Sequence, residues 1–227
     1  MMTPSPPTIV FDLDGTLVDT AQDLVRTLNA ILAGEGMAPV AFDKAVAMVG
    51  SGARVLLQAA FASEGATLTD EKLESLFVAF LAYYDDHLAD HSVPYPGAEA
   101  MLDRFAADGW RLAVCTNKPE APAKKLLDIL GLADRFAAIT GPDTFGIRKP
   151  DPRHLTSTIR LAGGDTGNAI MVGDSKTDID TAHAANIPVV AVDFGYSPIP
   201  VAQLGPTRVI SSLSELPDAV AAIRRPS

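Results

Sequence analysis

Cysteine is almost missing from this 227-residue sequence: Cys115 stands alone, which excludes an internal disulfide. Basic residues are also scarce, 18 Lys and Arg against 28 Asp and Glu, for a formal net charge of −10. A binder of phosphate backbones needs clustered Lys and Arg, so no nucleic-acid partner is expected. No apolar run reaches the roughly 18 residues that a membrane-spanning helix needs, so no membrane partner is expected either. The stretch from Met1 to Pro7 lacks the charged and apolar regions of a signal peptide. Internal repeats, low-complexity segments and heptads are missing too. These absences describe a soluble, cytoplasmic, acidic protein. If its substrate is anionic, the site must supply local positive charge against an unfavourable global field.

What is present is a chain 48% hydrophobic, long enough to bury a core without disulfides. At roughly 100–200 residues per domain it is one large domain or a domain carrying an insertion. Short apolar runs end at small or polar residues and are followed by helical patterns. They are Thr8–Val10, Arg111–Cys115, Ala137–Thr140, Asn168–Val172 and Pro188–Val192, with a weaker sixth at Thr207–Ile210. Near-continuous apolar strands alternating with helices predict an α/β fold with a Rossmann-like, doubly wound parallel sheet. Ala98, Met101, Leu102 and Phe105 share one helical face, as do Leu126, Leu127 and Leu130, and Ser212 to Ile223 reads as a closing helix.

One interval breaks this rhythm. Asp12 and Thr116 are 104 residues apart, whereas a βαβ unit needs about 30. The interval contains no convincing strand. Ala21, Leu24, Val25, Leu28, Ile31 and Leu32 form one helical stripe, and Leu73, Leu76, Phe77, Phe80, Leu81, Tyr84 and Leu88 a longer one. Between the two stripes lie glycine breakers at Gly34–Gly36 and Gly50–Gly52 and a shorter helix from Arg54 to Ser63. The chain returns through Val93, Pro94, Tyr95, Pro96 and Gly97, a stiff, hinge-like path. The expected division is 1–19 as core, 20–92 as an inserted α-helical subdomain, and 93–227 as the rest of the core.

Chemistry-bearing residues collect where strands end, which is where open α/β sheets bind ligands. After the first strand come Asp12 and Asp14, two residues apart and able to face one site from an extended backbone, with Gly15 releasing the chain. An Asp-Gly pair is also a common solvated turn. After Val114 and Cys115 come Thr116, Asn117 and Lys118, a set that by itself also reads as a helix N-cap. Arg148 and Lys149 precede Pro150, Asp151 and Pro152. Ile170 to Gly173 leads into Asp174, with Asp178 four residues on and able to share its face on a helix start; capping and dipole compensation are the alternative.

These four segments, in this order and spanning nearly the whole chain, resemble the four motifs of the haloacid dehalogenase superfamily. The helical insertion resembles that superfamily's cap, placed after the first motif. Within the superfamily the chain is most similar to bacterial phosphoglycolate phosphatases, through Val49–Ala53, Pro94–Gly97 and Gly173–Ser175. The resemblance implies hydrolysis of a small-molecule phosphomonoester. Asp12 would be the nucleophile that forms an aspartyl-phosphate. Asp14 would be general acid and then base. Thr116, the adjacent Asn117 amide and Lys149 would hold the phosphate oxygens. Mg²⁺ would be bound by Asp12, the Asp14 carbonyl and Asp174, with Asp178 behind them, orienting Lys149 or a metal-bound water. Lys118, Arg148 and Lys149 would offset nearby acid groups.

Substrate choice is expected in the helical segment, where Ser51 and Arg54 are candidate specificity residues. Arg54 could pair bidentately with a substrate carboxylate; a solvated helix-start arginine is the alternative. His87 and His91, four apart, lack a third ligand and read as surface. Cys115 reads as a small buried hydrophobe. Other capped members of the superfamily remain in view: sugar or nucleotide monophosphate phosphatases, pyrophosphatases and phosphomutases. A phospho-accepting receiver domain would be about half this length, uncapped, with its acceptor on a middle strand. The assembly is expected to be a monomer or homodimer.

Overall fold

The computed structural model describes residues 5–49 and 52–224. It opens with strand β1 (Thr8–Phe11) and the two-residue β2 (Val18–Asp19). Four helices follow: α1 (Ala21–Gly34), α2 (Phe42–Val49), α3 (Ala53–Ser63) and α4 (Asp70–Asp86). The chain then runs through β3 (Val93–Pro94), α5 (Ala98–Ala107), β4 (Arg111–Cys115), α6 (Glu120–Ile129), β5 (Ala138–Thr140) and the short α7 (Pro142–Phe145). It closes with α8 (Pro152–Leu161), β6 (Ala169–Gly173), α9 (Lys176–Ala184), β7 (Val189–Val192), β8 (Arg208–Ile210) and α10 (Leu216–Arg224).

Six strands form one sheet in the order β5-β4-β1-β6-β7-β8, every pair parallel. These are the six runs expected from sequence. Because side chains alternate across a strand, the sheet sorts its apolar residues into two layers. Ile9, Phe11, Leu112, Val114, Ile170 and Val172 face α5, α6 and α10. Val10, Ala113, Cys115 and Met171 face Leu155 and Ile159 of α8 and Ile179 of α9. The first layer continues without a break into Leu24 and Leu28 of α1 and Phe77 and Phe80 of α4.

The segment between the first and second motifs differs from expectation in two places. β2 and β3 pair antiparallel, Val18 with Pro94 and Asp19 with Val93, so the two chain passages into and out of the four-helix segment are zipped together. Helix α2 was not expected; only Ala45 and Val49 on it are buried, too sparse a stripe to declare a helix from periodicity. α4 begins at Thr69, whose hydroxyl accepts the Lys72 N–H at 3.2 Å. Among the described residues no helix is long and apolar enough to cross a membrane.

Candidate active site

β1 lies at the centre of the sheet between β4 and β6. The connections leave it in both directions, which opens a crevice at the carboxyl ends of the strands. The Asp12 N–H continues the ladder by donating to Val172 O at 2.9 Å. The carboxylate is therefore delivered at the point where β6 ends in Gly173 and Asp174.

Asp12, Asp174 and Asp178 are all buried, and one carboxylate oxygen from each lies within 4.8 Å of the others. The Lys149 ammonium, 1% exposed, stands 2.9 Å from Asp12 Oδ1 and 2.6 Å from Asp178 Oδ1. Asp174 is held on both oxygens: Thr16 donates its hydroxyl to Oδ1 at 3.0 Å, and the Tyr196 N–H reaches Oδ2 at 2.7 Å. Asp178 Oδ2 accepts the Ser175 N–H and hydroxyl at 3.1 and 2.6 Å, in a capping box at the start of α9.

Three carboxylates against one ammonium leave this cluster short of positive charge. Burial, then the Asp178 charge, push Asp12 up to about 7 in spite of Lys149. Asp174 is raised well above the carboxylate range by burial and by Asp178 and Asp12. Burial would lower Lys149, but Asp12 and Asp178 outweigh it and hold the amine protonated. Hard oxygen donors, buried, converging and undercompensated, are what a divalent cation such as Mg²⁺ requires, and these residues fit one.

Glycines make this closeness possible. A Cβ on Gly195 would lie 2.2 Å from Asp174 Cβ, and one on Gly15, which has φ +84°, would lie 2.7 Å from Asp174 Oδ2.

Asp14 lines the same cavity as Asp12, but its side chain belongs to a different set of contacts. Its Oδ1 accepts from Lys118 Nζ at 2.8 Å and from the Thr20 hydroxyl at 2.7 Å. The Asp14 carboxylate is outside the three-aspartate cluster. Thr116, 1% exposed, lines the cavity; its hydroxyl accepts the Lys118 N–H at 3.1 Å, turning the chain at the end of β4. The Asn117 carboxamide clamps the Lys149 main chain, accepting its N–H at 3.0 Å and donating to its carbonyl at 3.2 Å.

The cavity, about 100 Å³, is closed on one side by the core residues Asp12, Asp14, Thr116 and Lys118 and on the other by Leu24, Leu56, Phe77, Phe80 and Tyr84. Gly52 faces Asn117, whose Cβ would be 3.6 Å from an added Cβ. Ser51 lies outside the described residues. Arg54 lines the cavity, but its guanidinium grips Glu74 at 2.9 Å and lies 3.5 Å over the Phe77 ring. His87 pairs with Asp90 at 2.9 Å while His91 meets Arg26, so the two histidines converge on nothing. Cys115 is fully buried, its thiol pushed up to about 12, mainly by burial.

Three contributors were not singled out in the sequence. Thr16 and Thr20 sit inside the first motif, where spacing from Asp12 and Asp14 was the available signal. Tyr196 had none: it reaches the site only because the loop after β7 folds back over Asp174.

Fold and site together define a hydrolase of the haloacid dehalogenase-like class, and residues 9–192 match the family model for haloacid dehalogenase-like hydrolases. The chain belongs to that family. It is 51% identical over 212 residues to a phosphoglycolate phosphatase of Mesorhizobium japonicum, covering 93% of each chain. It is 46% identical over 217 residues to one of Agrobacterium fabrum, covering 96% of this chain and 93% of that one. A crystal structure of a predicted phosphoglycolate phosphatase from Haemophilus somnus superposes with a TM-score of 0.87 at 30% identity, over 95% of this chain and 98% of that one.

Proposed function

We propose that this hydrolase is a phosphatase that converts 2-phosphoglycolate to glycolate and phosphate. The observation that carries the chemistry is Asp12 at the end of a central strand, 2.9 Å from a buried ammonium and lining a cavity. The substrate rests on the relatives of the same length, and on a cavity well below the roughly 300–1,000 Å³ of sites for drug-sized ligands.

Asp12 attacks phosphorus in line, forming an aspartyl-phosphate as the ester oxygen departs. Asp14 gives that oxygen a proton, then takes one from the water that hydrolyses the intermediate. Lys149, with Thr116 and the Asn117 amide, binds the phosphate oxygens and opposes their charge. Asp178 keeps Lys149 aimed, and the Asn117 side chain fixes its main chain. Mg²⁺, held by Asp12, the Asp14 carbonyl and Asp174, would supply the remaining positive charge. Residues 20–92 act as a cap over a core made from 1–19 and 93–227, with β2 and β3 as the paired crossings. The lone reduced Cys115 fits a cytoplasmic setting, with the enzyme working as a monomer or homodimer.

A rate screen over small phosphomonoesters, with Mg²⁺ and after chelation, tests this reading. Selective turnover of 2-phosphoglycolate, lost with EDTA and in Asp12→Asn, is the expected result, together with a fluoroberyllate adduct on the wild type alone. A flat profile would reduce the assignment to a general phosphatase, and substantial turnover by Asp12→Asn would remove Asp12 as nucleophile.

A further inference from the structure

Tyr84 is out of place as a structural residue. It is 1% exposed, on the face of α4 that closes the cavity, and its hydroxyl is one of three buried side-chain atoms without a hydrogen-bond partner among the described residues. A phenol buried without a partner costs about 1–3 kcal/mol, which phenylalanine would avoid. Burial pushes it up to about 12, so it remains a donor at any working pH. The Lys118 ammonium, itself buried, stands 4.5 Å from the ring centroid. One of its three N–H donors goes to Asp14 and its charge also acts on the Tyr84 hydroxyl, which leaves at least one N–H for a ligand.

We propose that Tyr84 and Lys118 together form the subsite for the carboxylate of the substrate, with Tyr84 as the specificity-determining residue contributed by the helical segment. The proposal rests on the phosphatase reading above. Phosphate at Asp12 and Lys149 places the organic part of a short phosphoester toward α4. There the wall includes Leu24, Phe77 and Phe80, and the buried polar groups lining the cavity beside it include Lys118 and the Tyr84 hydroxyl. A donor plus a cation against an apolar wall selects a small acid over a neutral alcohol, because only the acid satisfies both. Arg54, the candidate from sequence, is already committed to Glu74 at the rim.

Tyr84→Phe tests this without disturbing packing. The comparison is kcat/KM for 2-phosphoglycolate against ethyl phosphate, the same two-carbon ester without the acid, alongside calorimetric titration of glycolate. The ratio of the two kcat/KM values should fall about tenfold or more, the worth of one hydrogen bond to a charged group. Glycolate should bind measurably to the wild type and more weakly to Tyr84→Phe. Lys118→Met should shift the ratio in the same direction. An unchanged ratio, or an equal loss on both esters, would overturn the proposal. If the wild type hydrolyses neither ester, the phosphatase reading fails by itself and the titration decides: weaker glycolate binding by Tyr84→Phe supports the subsite, whereas equal or absent binding removes it.

Discussion

Lys149 Nζ lies 2.6 Å from Asp178 Oδ1, with both side chains buried. The same aspartate caps α9 through its other oxygen. Asp178 therefore does two jobs, orienting the ammonium that faces Asp12 and closing the helix whose first turn carries the site. Asparagine there leaves Lys149 paired with Asp12 at 2.9 Å and removes one charge-assisted hydrogen bond, worth about 1.5–3 kcal/mol. Asp178→Asn is expected to lose about that much stability in urea unfolding, and to lower kcat more than it raises KM. Loss of stability without any loss of kcat would leave Asp178 as a cap alone.

The charge deficit of the aspartate cluster predicts how metal binding depends on pH. With Asp12 raised from 3.8 to about 7, the folded, metal-free protein binds a proton there that the unfolded chain releases above 3.8. This group therefore contributes stability below 3.8 that is lost as pH rises toward 7. A cation needs the deprotonated carboxylate, so protons compete with it below about 7. The rise in melting temperature on adding Mg²⁺ should be small at pH 5.5 and clearly larger at pH 8. A shift independent of pH would mean that Mg²⁺ does not bind at Asp12.

Gly195 lies hard against the Asp174 side chain. A methyl group 2.2 Å from Asp174 Cβ cannot be accommodated without moving one of them. Gly195→Ala should weaken Mg²⁺ binding and reduce kcat/KM about hundredfold, as displacements near 1 Å at a site do. Gly34→Ala, with nothing within 4 Å of the added methyl, should leave both unchanged. Wild-type Mg²⁺ affinity in Gly195→Ala would show that Asp174 has room to move.

The six sheet strands were legible because a parallel sheet buried on both faces writes each strand as an apolar run, as from Arg111 to Cys115. The paired carboxylates at Asp12 and Asp14 were legible for a related reason: a motif at a strand end is local in sequence. β2 and β3 were not, since two residues such as Val18 and Asp19 carry no periodicity. Nor could sequence reveal that Asp14 turns from the aspartate cluster toward Lys118, or that Arg54 is claimed by Glu74 twenty residues on. Those outcomes depend on which helix lies over which strand end, and that is decided by packing.

Tyr196 ties the cluster to the entry of α1. Its phenol oxygen accepts the Thr20 and Ala21 N–H groups at 2.6 and 2.9 Å and donates to Asp19 at 2.8 Å. Thr20 in turn donates its hydroxyl to Asp14. Tyr196→Phe removes the oxygen and leaves the buried Thr20 N–H at a helix start without a partner, at about 1–3 kcal/mol, while the Ala21 N–H keeps Asp19 Oδ1 at 3.3 Å. The variant should therefore lose about 1–3 kcal/mol of stability, and kcat should fall as Thr20 loosens from Asp14. Its own main-chain N–H still reaches Asp174, so Mg²⁺ affinity should stay within about threefold of wild type, a change under 1 kcal/mol. That separates it from Gly195→Ala, which acts on Asp174 directly. If calorimetry finds Mg²⁺ binding weakened tenfold in Tyr196→Phe, then the phenol, and not the backbone, is what holds Asp174 in place.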